Sequence, residues 1–497
     1  MNKDNHEKTP FFTELLKYAQ SDVVPLDVPG HKRGNLKNDM KDAIGVMTYR
    51  LDANAPKGLD NLSRPRGVIK EAEELMADAF MADKAYFLIG GTTVGILAMI
   101  MSVVRAKEKL ILPRNVHKSV INALILSGAI PIFITPEIDN ALGIANGISV
   151  NSVTKAIREH PDAKAVFIIN PTYFGVVSDL QGIVDLAHEN DMVVLVDEAH
   201  GSQFAFSDLL PLTAMEAGAD VSSTSMHKTA GSLTQSSVLL TKGDRIDPRR
   251  IRSTLNMLQS TSPSSLLLAS LDTARKAMVL YGEEEIARVV KLAEYARSQI
   301  NEISGIQAIG LDYFEKKGCF GFDLTKIIVR VADLDITGFD VFNFLRDEQN
   351  VQLELAETYL ILAVLSAGTM QSDLDRFIDA LKALSEEYFE KPKRIKTIKF
   401  KYSFPQSVTR PRDAYHAPKK YINFSDAVDE ISAECVMIYP PGIPLIIPGE
   451  VISEEVIDAM EFYAESGSVI LGDQDDGTVK VIDKNQWIKW SDYEDEI

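Results

Sequence analysis

The chain has 497 residues, 45% of them hydrophobic and 25% charged, the make-up of an ordinary soluble globular protein with core enough for several domains. Its 52 basic and 71 acidic residues leave a net charge of −19, which argues against nucleic acid or an anionic membrane surface as partner. Two cysteines, Cys319 and Cys435, are too few for a disulfide framework or a four-cysteine metal site, and neither a signal peptide nor an apolar run of the ~20 residues needed to span a bilayer is present, so a cytoplasmic protein without a metal is expected.

In chain order, Phe11 to Gln20 reads as a short amphipathic helix. The turn-rich stretch Val24 to Gly34 follows, and no long periodic pattern appears from there to Gly67. Such an arm either wraps a neighbouring subunit or forms a plain surface loop. Val68 to Met81 carries apolar residues at helical spacing. Ala85 to Ile89 is a strand running into Gly90-Gly91-Thr92-Thr93, with a helix predicted over Val94 to Val104. Bare glycines, hydroxyl donors and a helix N-terminus make a phosphate cradle, the alternative being an N-cap turn without a ligand.

Alternation continues with strand Lys109 to Leu112, helix His117 to Ser127, strand Ile130 to Thr135, helix Asn151 to Glu159, strand Ala165 to Ile169, helix Leu180 to Glu189 and strand Met192 to Val196. This pattern predicts an α/β chain with a doubly wound, largely parallel sheet. Past Ser236 to Thr241, another strand, helices are expected at Arg249 to Leu258 and Ser264 to Tyr281, then a long charged helix from Glu283 to Ile303. A second domain follows, with strands Lys326 to Val331, Val351 to Leu355 and Tyr359 to Leu365, helix Gly338 to Arg346, and a last helix N-capped by Ser372. Lys391 to Lys401 reads as a linker to a small α+β domain containing Tyr439-Pro440-Pro441-Gly442-Ile443-Pro444.

The chemistry concentrates between Val193 and Lys228. Val193-Val194-Leu195-Val196 is a buried parallel strand that ends in Asp197, where open α/β sheets place their ligands. Lys228 follows within Ser225-Met226-His227-Lys228-Thr229, in a segment rich in small hydroxyl residues. A carboxylate at a strand tip and a lysine in a polar turn are what pyridoxal 5'-phosphate (PLP) requires: the lysine forms a Schiff base and the aspartate keeps the ring nitrogen protonated. Ala199 is small enough to lie under a ring. His200 bonds the ring hydroxyl or the aspartate, or is structural. His117, at a strand-to-helix junction, either stacks on the ring or caps its helix. His227 and Ser225 are candidates for the phosphate or substrate carboxylate, and Thr172 and Tyr173 for the pocket wall.

At these residues the sequence resembles the Orn/Lys/Arg decarboxylase family of fold-type-I PLP enzymes, and within it the short Gram-positive biosynthetic arginine decarboxylases. Asp197-Glu198-Ala199-His200-Gly201 together with Ser225-x-His227-Lys228-x-x-Gly231-Ser232-Leu233-Thr234-Gln235 is the specific part. Further matching stretches are Pro29 to Lys32, Pro113 to Ser119, Pro131 to Gly143, Asn170 to Gly175, Gln259 to Asp272 and Tyr439 to Glu450. The resemblance implies an aspartate-aminotransferase-like large domain, a small α/β domain and a C-terminal α+β decarboxylase domain. The boundaries are an arm over 1–67, the PLP domain over 68–285, the small domain over 286–393 and the C-terminal domain over 394–497. It implies Lys228, His227, Asp197 and His117 as catalytic residues. Around the cofactor it implies Gly91, Thr92, Thr93, His117, Asp197, Ala199, His200, Ser225, His227 and Lys228. It also implies a homodimer in which Ser260 to Ser262 reaches the neighbouring subunit's phosphate. The expected activity is decarboxylation of a basic amino acid, L-arginine to agmatine in polyamine biosynthesis. Lysine or ornithine decarboxylation, another fold-type-I reaction such as aminotransfer, and an inactive PLP-binding protein are the alternatives. The family usually has Gly-Thr-Ser where this chain has Gly91-Thr92-Thr93, and Tyr49 to Pro65 departs from its acidic pattern, with Asn54 where Glu is common.

Overall fold

The computed structural model describes residues 3–334, 336–389, 405–439, 443–473 and 477–487. The expected linker Lys391 to Lys401 and the Pro440-Pro441-Gly442 part of the C-terminal motif lie outside them. The chain divides into two compact units, one of Met1–Ser102, Val193–Val289 and Ser366–Gly368, the other of Val103–Met192, Val290–Leu365 and Thr369–Ile497.

The principal strands, in chain order, are β1 (Lys84–Leu88), β2 (Lys109–Pro113), β3 (Ile130–Ile134), β4 (Ala165–Ile169), β5 (Val193–Asp197), β6 (Val221–Thr224) and β7 (Ser237–Thr241). Within the first unit β5 pairs with β6 in parallel, while β6–β7 and β7–β1 are antiparallel. Within the second, β2 pairs in parallel with both β3 and β4. The fold is thus α/β with a mainly parallel sheet. The antiparallel β1 and β7 are what the largely parallel expectation left out. β6 and β7 are buried at every residue, which suits strands covered on both faces.

Helices of the first unit include α1 (Pro10–Gln20), α2 (Val68–Ala79), α3 (Gly91–Val103), which runs one residue past that unit, and, later in the chain, the short turn Met226–Thr229 that follows β6 and the helix Pro248–Leu258. Helix α3 begins at Gly91, three residues before the predicted start, so Gly91, Thr92 and Thr93 are its first turn. Further along, α4 (Lys118–Ser127) starts just after His117, which is its N-cap and lies outside the helix predicted to include it. The helices expected at Ser264 to Tyr281 and Glu283 to Ile303 are one element of 37 residues, Ser265–Asn301. Gly282 does not break it: a Cβ there would come within 3.0 Å of Phe206 Cβ, so the glycine serves close packing.

The arm is fastened to that long helix through the two partners of a buried ion pair on the helix, Arg275–Asp272 at 3.0 Å. Asp272 Oδ2 accepts from the Phe11 and Phe12 amides at 3.0 and 3.2 Å, and Arg275 Nη1 donates to the His6 carbonyl at 2.7 Å. Along the arm beyond α1 the structure holds a 3-10 turn, Lys32–Gly34, and two six-residue helices, Asp39–Ile44 and Val46–Leu51, in keeping with the missing long periodicity there.

In the second unit a four-stranded antiparallel sheet has the order Gln307–Ile309, Lys326–Arg330, Leu360–Val364, Leu355–Glu357. The strand expected at Val351 to Leu355 therefore lies further on, at Leu355–Glu357. The following helix is Gln371–Tyr388, preceded by Met370 rather than capped by Ser372: Met370 N donates to Asp373 Oδ2 at 3.0 Å, so the acidic side chain of the first turn closes the end. The C-terminal segment pairs Lys419–Asn423 with Thr478–Ile482 and sets Val436–Tyr439 between Ile443–Ile446 and Val469–Leu471. A buried ion pair ties that segment to the end of β2. Arg114 Nη2 lies 2.8 Å from Glu450 Oε2, the two side chains being 2% and 1% exposed, and Arg114 Nη1 donates to the Pro444 carbonyl at 2.9 Å.

Candidate active site

Asp197 closes β5, and the turn bearing Lys228 follows β6, the parallel neighbour of β5. Both therefore stand at the carboxyl ends of adjacent parallel strands, the position that crossover connections leave open in α/β sheets. Asp197 is buried and its Oδ1 accepts from the Ala199 amide at 3.1 Å. Burial pushes its carboxyl up to about 6, against the pull of the Ala199 N–H and the Lys228 charge. Lys228 Nζ lies 2.8 Å from His200 Nε2, a pair across which a proton can sit on either nitrogen. His200 is itself buried.

Beside the turn that carries Lys228, Thr92 Oγ1 is 2.6 Å from the Oγ of Ser225, the N-cap of that turn, and 3.1 Å from Ser237 Oγ. Three hydroxyls converge at the N-terminus of the 13-residue helix α3, and all three residues are buried. Gly91 holds φ +71°, a conformation that favours glycine, and its amide donates to the Gln235 carbonyl at 2.8 Å. Gly95 lets the helix lie on β6: a Cβ there would fall 2.0 Å from Ser223 Oγ. This donor set, with the helix N-terminus behind it, is suited to a phosphate. Thr93, also expected in the cradle, is exposed. His227 Nδ1 donates to the Ser236 carbonyl at 2.9 Å, which fixes the tautomer of a neutral ring.

The structure thus brings Asp197, Ala199, His200 and Lys228 together around one strand-end turn, and Gly91, Thr92 and Ser225 around one helix start. In the second unit His117 is exposed, and its Nδ1 pairs with Ser119 Oγ at 2.8 Å and accepts from Ser119 N at 3.2 Å. The capping arrangement weighed for this histidine is therefore formed. Thr172 Oγ1 accepts from Val176 N at 3.1 Å, holding its own turn, and the Tyr173 hydroxyl bonds to Glu354.

Two contributors were not singled out from the sequence. Ser237 joins the hydroxyl cluster from β7, and nothing in its run of small polar residues distinguishes it from its neighbours. Glu198 lies buried beside Asp197 and accepts from the Ala214 amide at 2.7 Å. Burial raises its carboxyl to about 8, opposed chiefly by the Ala214 amide. Among the described residues no group of three or more His, Cys, Asp or Glu is arranged to hold a metal, and no helix is long and apolar enough to cross a membrane.

Comparison with known proteins gives a consistent picture. Residues 9–373 match the family model for the Orn/Lys/Arg decarboxylase major domain, and residues 393–472 match that for the C-terminal domain. An arginine decarboxylase of Bacillus subtilis is 43% identical over 473 residues, covering 95% of this chain and 96% of the relative. One from Halalkalibacterium halodurans is 41% identical, covering 97% and 99%. Among solved structures, the lysine decarboxylase LdcF of Francisella novicida superposes with a TM-score of 0.83 over 96% of this chain and 82% of that one at 22% identity, which establishes a shared fold. Matches to both family models, and relatives of this identity along almost the whole length, show that the chain belongs to the Orn/Lys/Arg decarboxylase family.

Proposed function

We propose that the protein is an arginine decarboxylase that uses PLP to convert L-arginine, with uptake of one proton, into agmatine and carbon dioxide, a step of polyamine biosynthesis. The observation that carries this reading is the likeness, at 41–43% identity and nearly end to end, to proteins named arginine decarboxylases. The four-domain organisation read from the sequence, with boundaries near residues 67, 285 and 393, belongs to the same proposal.

The donor chemistry fits PLP. Thr92, Ser225 and Ser237 would hold the phosphate, Asp197 the ring nitrogen, and Lys228 the cofactor covalently through Nζ. His117, beyond its capping bond, is assigned the face of the ring by the resemblance. When bound, PLP withdraws electrons from the bond being broken. Asp197 is buried, where its charge is costly, so it gains most from a cationic partner such as a protonated ring nitrogen. The buried hydroxyls, bonded to one another here, would donate to a phosphate in place of those mutual bonds. The Lys228–His200 pair can release or accept a proton at Nζ, and Lys228, His227 or a tyrosine would return the proton to the substrate's Cα. A dimer is part of the reading: Val24, Leu26 and Leu36 of the arm are 75%, 90% and 57% exposed, which suits burial against a second copy.

Carbon dioxide release from arginine, lysine and ornithine, assayed in parallel with added PLP, tests the proposal. Release from arginine above the other two is expected. Release from none would refute it, and formation of an α-keto acid would favour aminotransfer. Lys228→Ala should abolish the absorbance of bound PLP at ~420 nm.

A further inference from the structure

Among the described residues β1 ends the strand order of its sheet and pairs with β7 alone, so one side of it has no strand partner there. That side is closed by side chains. Gln259, the residue following the helix Pro248–Leu258, donates from Nε2 to the Phe87 carbonyl at 3.2 Å and accepts at Oε1 from the Ile89 amide at 3.0 Å. Its carboxamide therefore takes the place of a strand's peptide group across the last residues of β1. Glu73 completes the edge by accepting from the Phe87 amide at 3.0 Å, and Arg252 holds Glu73 at 2.9 Å while its guanidinium lies 4.7 Å from the centre of the Tyr86 ring.

The position of this clasp matters. Ile89 is followed by Gly90 and Gly91, and then by Thr92 in the hydroxyl cluster. Two glycines in succession leave the backbone with unusual freedom, so the direction in which the chain enters α3 depends on what fixes it on either side. On the far side the Gly91 amide is bonded to the Gln235 carbonyl. On the near side the last fixed point is Ile89, and the group that fixes it there is Gln259.

We propose that Gln259 is a positioning residue for phosphate binding: by completing the edge of β1 it sets the Gly90–Gly91 turn and with it the aim of Thr92 and the first amides of α3. This rests on the reading of that helix start as the PLP phosphate site. Its side-chain hydrogen bonds go to the backbone of Phe87 and Ile89, and through that backbone it acts on the turn.

The test compares two ligands that differ by the phosphate alone. PLP and pyridoxal are titrated into the PLP-free full-length protein, following the absorbance of the bound cofactor, for the wild type, Gln259→Met and Gln259→Glu. Gln259→Met keeps the side-chain length but loses both bonds. It is expected to weaken PLP about tenfold, equivalent to about 1.4 kcal/mol, while leaving pyridoxal affinity unchanged. Gln259→Glu keeps the acceptor for the Ile89 amide and is expected to fall between. An equal loss for both ligands, as a purely structural role would give, overturns the proposal, and so does no loss for either. Should Gln259→Met not fold, Gln259→Glu decides by the same PLP-to-pyridoxal ratio. A wild type that binds PLP no more tightly than pyridoxal would instead remove the phosphate-site reading, and the proposal with it, irrespective of the variants.

Discussion

Asp197→Asn should have opposite effects on the ligand-free and PLP-bound protein. Burial raises the Asp197 carboxyl from an ordinary 3.8 to about 6. Below the lower value both the folded and unfolded states are protonated, and the group costs nothing. Between the two values the unfolded chain ionises first, so stability falls as pH rises. Above about 6 the folded state carries the full cost of a buried charge, about 3 kcal/mol. Asparagine avoids that cost and still offers Oδ1 to the Ala199 amide. At pH 7.5 ligand-free Asp197→Asn is therefore expected to melt several degrees above the wild type, with the advantage vanishing near pH 4. With PLP the order reverses, since the variant lacks the charge that a protonated ring nitrogen needs. Thermal scans of both proteins at pH 4, 6 and 7.5, with and without PLP, measure this. A ligand-free variant no more stable than the wild type at pH 7.5, or an advantage independent of pH, would refute the reasoning.

Arg114→Met leaves Glu450 buried without its partner and should destabilise the second unit by about 3–5 kcal/mol, visible as a lower urea midpoint. Combining it with Glu450→Leu should restore most of the loss, because the cost lies in the unpaired charge. Gly95→Ala places a methyl group against Ser223, where a Cβ falls 2.0 Å from Oγ, and should cost about 1–3 kcal/mol while weakening PLP binding. Thermal scans and a PLP titration check the two effects.

Much of this was legible in the sequence because the relevant signals are local. A buried β-branched run ending in a carboxylate predicts where Asp197 stands, and parallel pairing of β5 with β6 brings Lys228 to the same end of the sheet. Signals that depend on which way a side chain turns were not legible. Ser236 immediately precedes the buried strand β7 and Ser237 opens it, yet it is Ser237 that reaches Thr92. Gln259 caps the end of its helix through its backbone, but its side chain serves the end of β1, at Ile89 170 positions away, and no local signal marks that. Element ends moved for physical reasons too. Helix α3 absorbed Gly91-Thr92-Thr93 because a glycine at positive φ can enter a helix directly. The helix at Ser265–Asn301 ran through Gly282 because Phe206 occupies the space a side chain would need.

The Arg114–Glu450 pair also bears on how the chain is made. The partners are 336 positions apart, so at ordinary rates of translation roughly 20–70 s pass between the emergence of the arginine and that of the glutamate. Throughout that interval the end of β2 carries a guanidinium that cannot be buried without its counter-charge. The turn leading to His117 can therefore reach its final packing only after residue 450 has been synthesised, so the nascent chain remains incomplete around this turn until its last domain arrives.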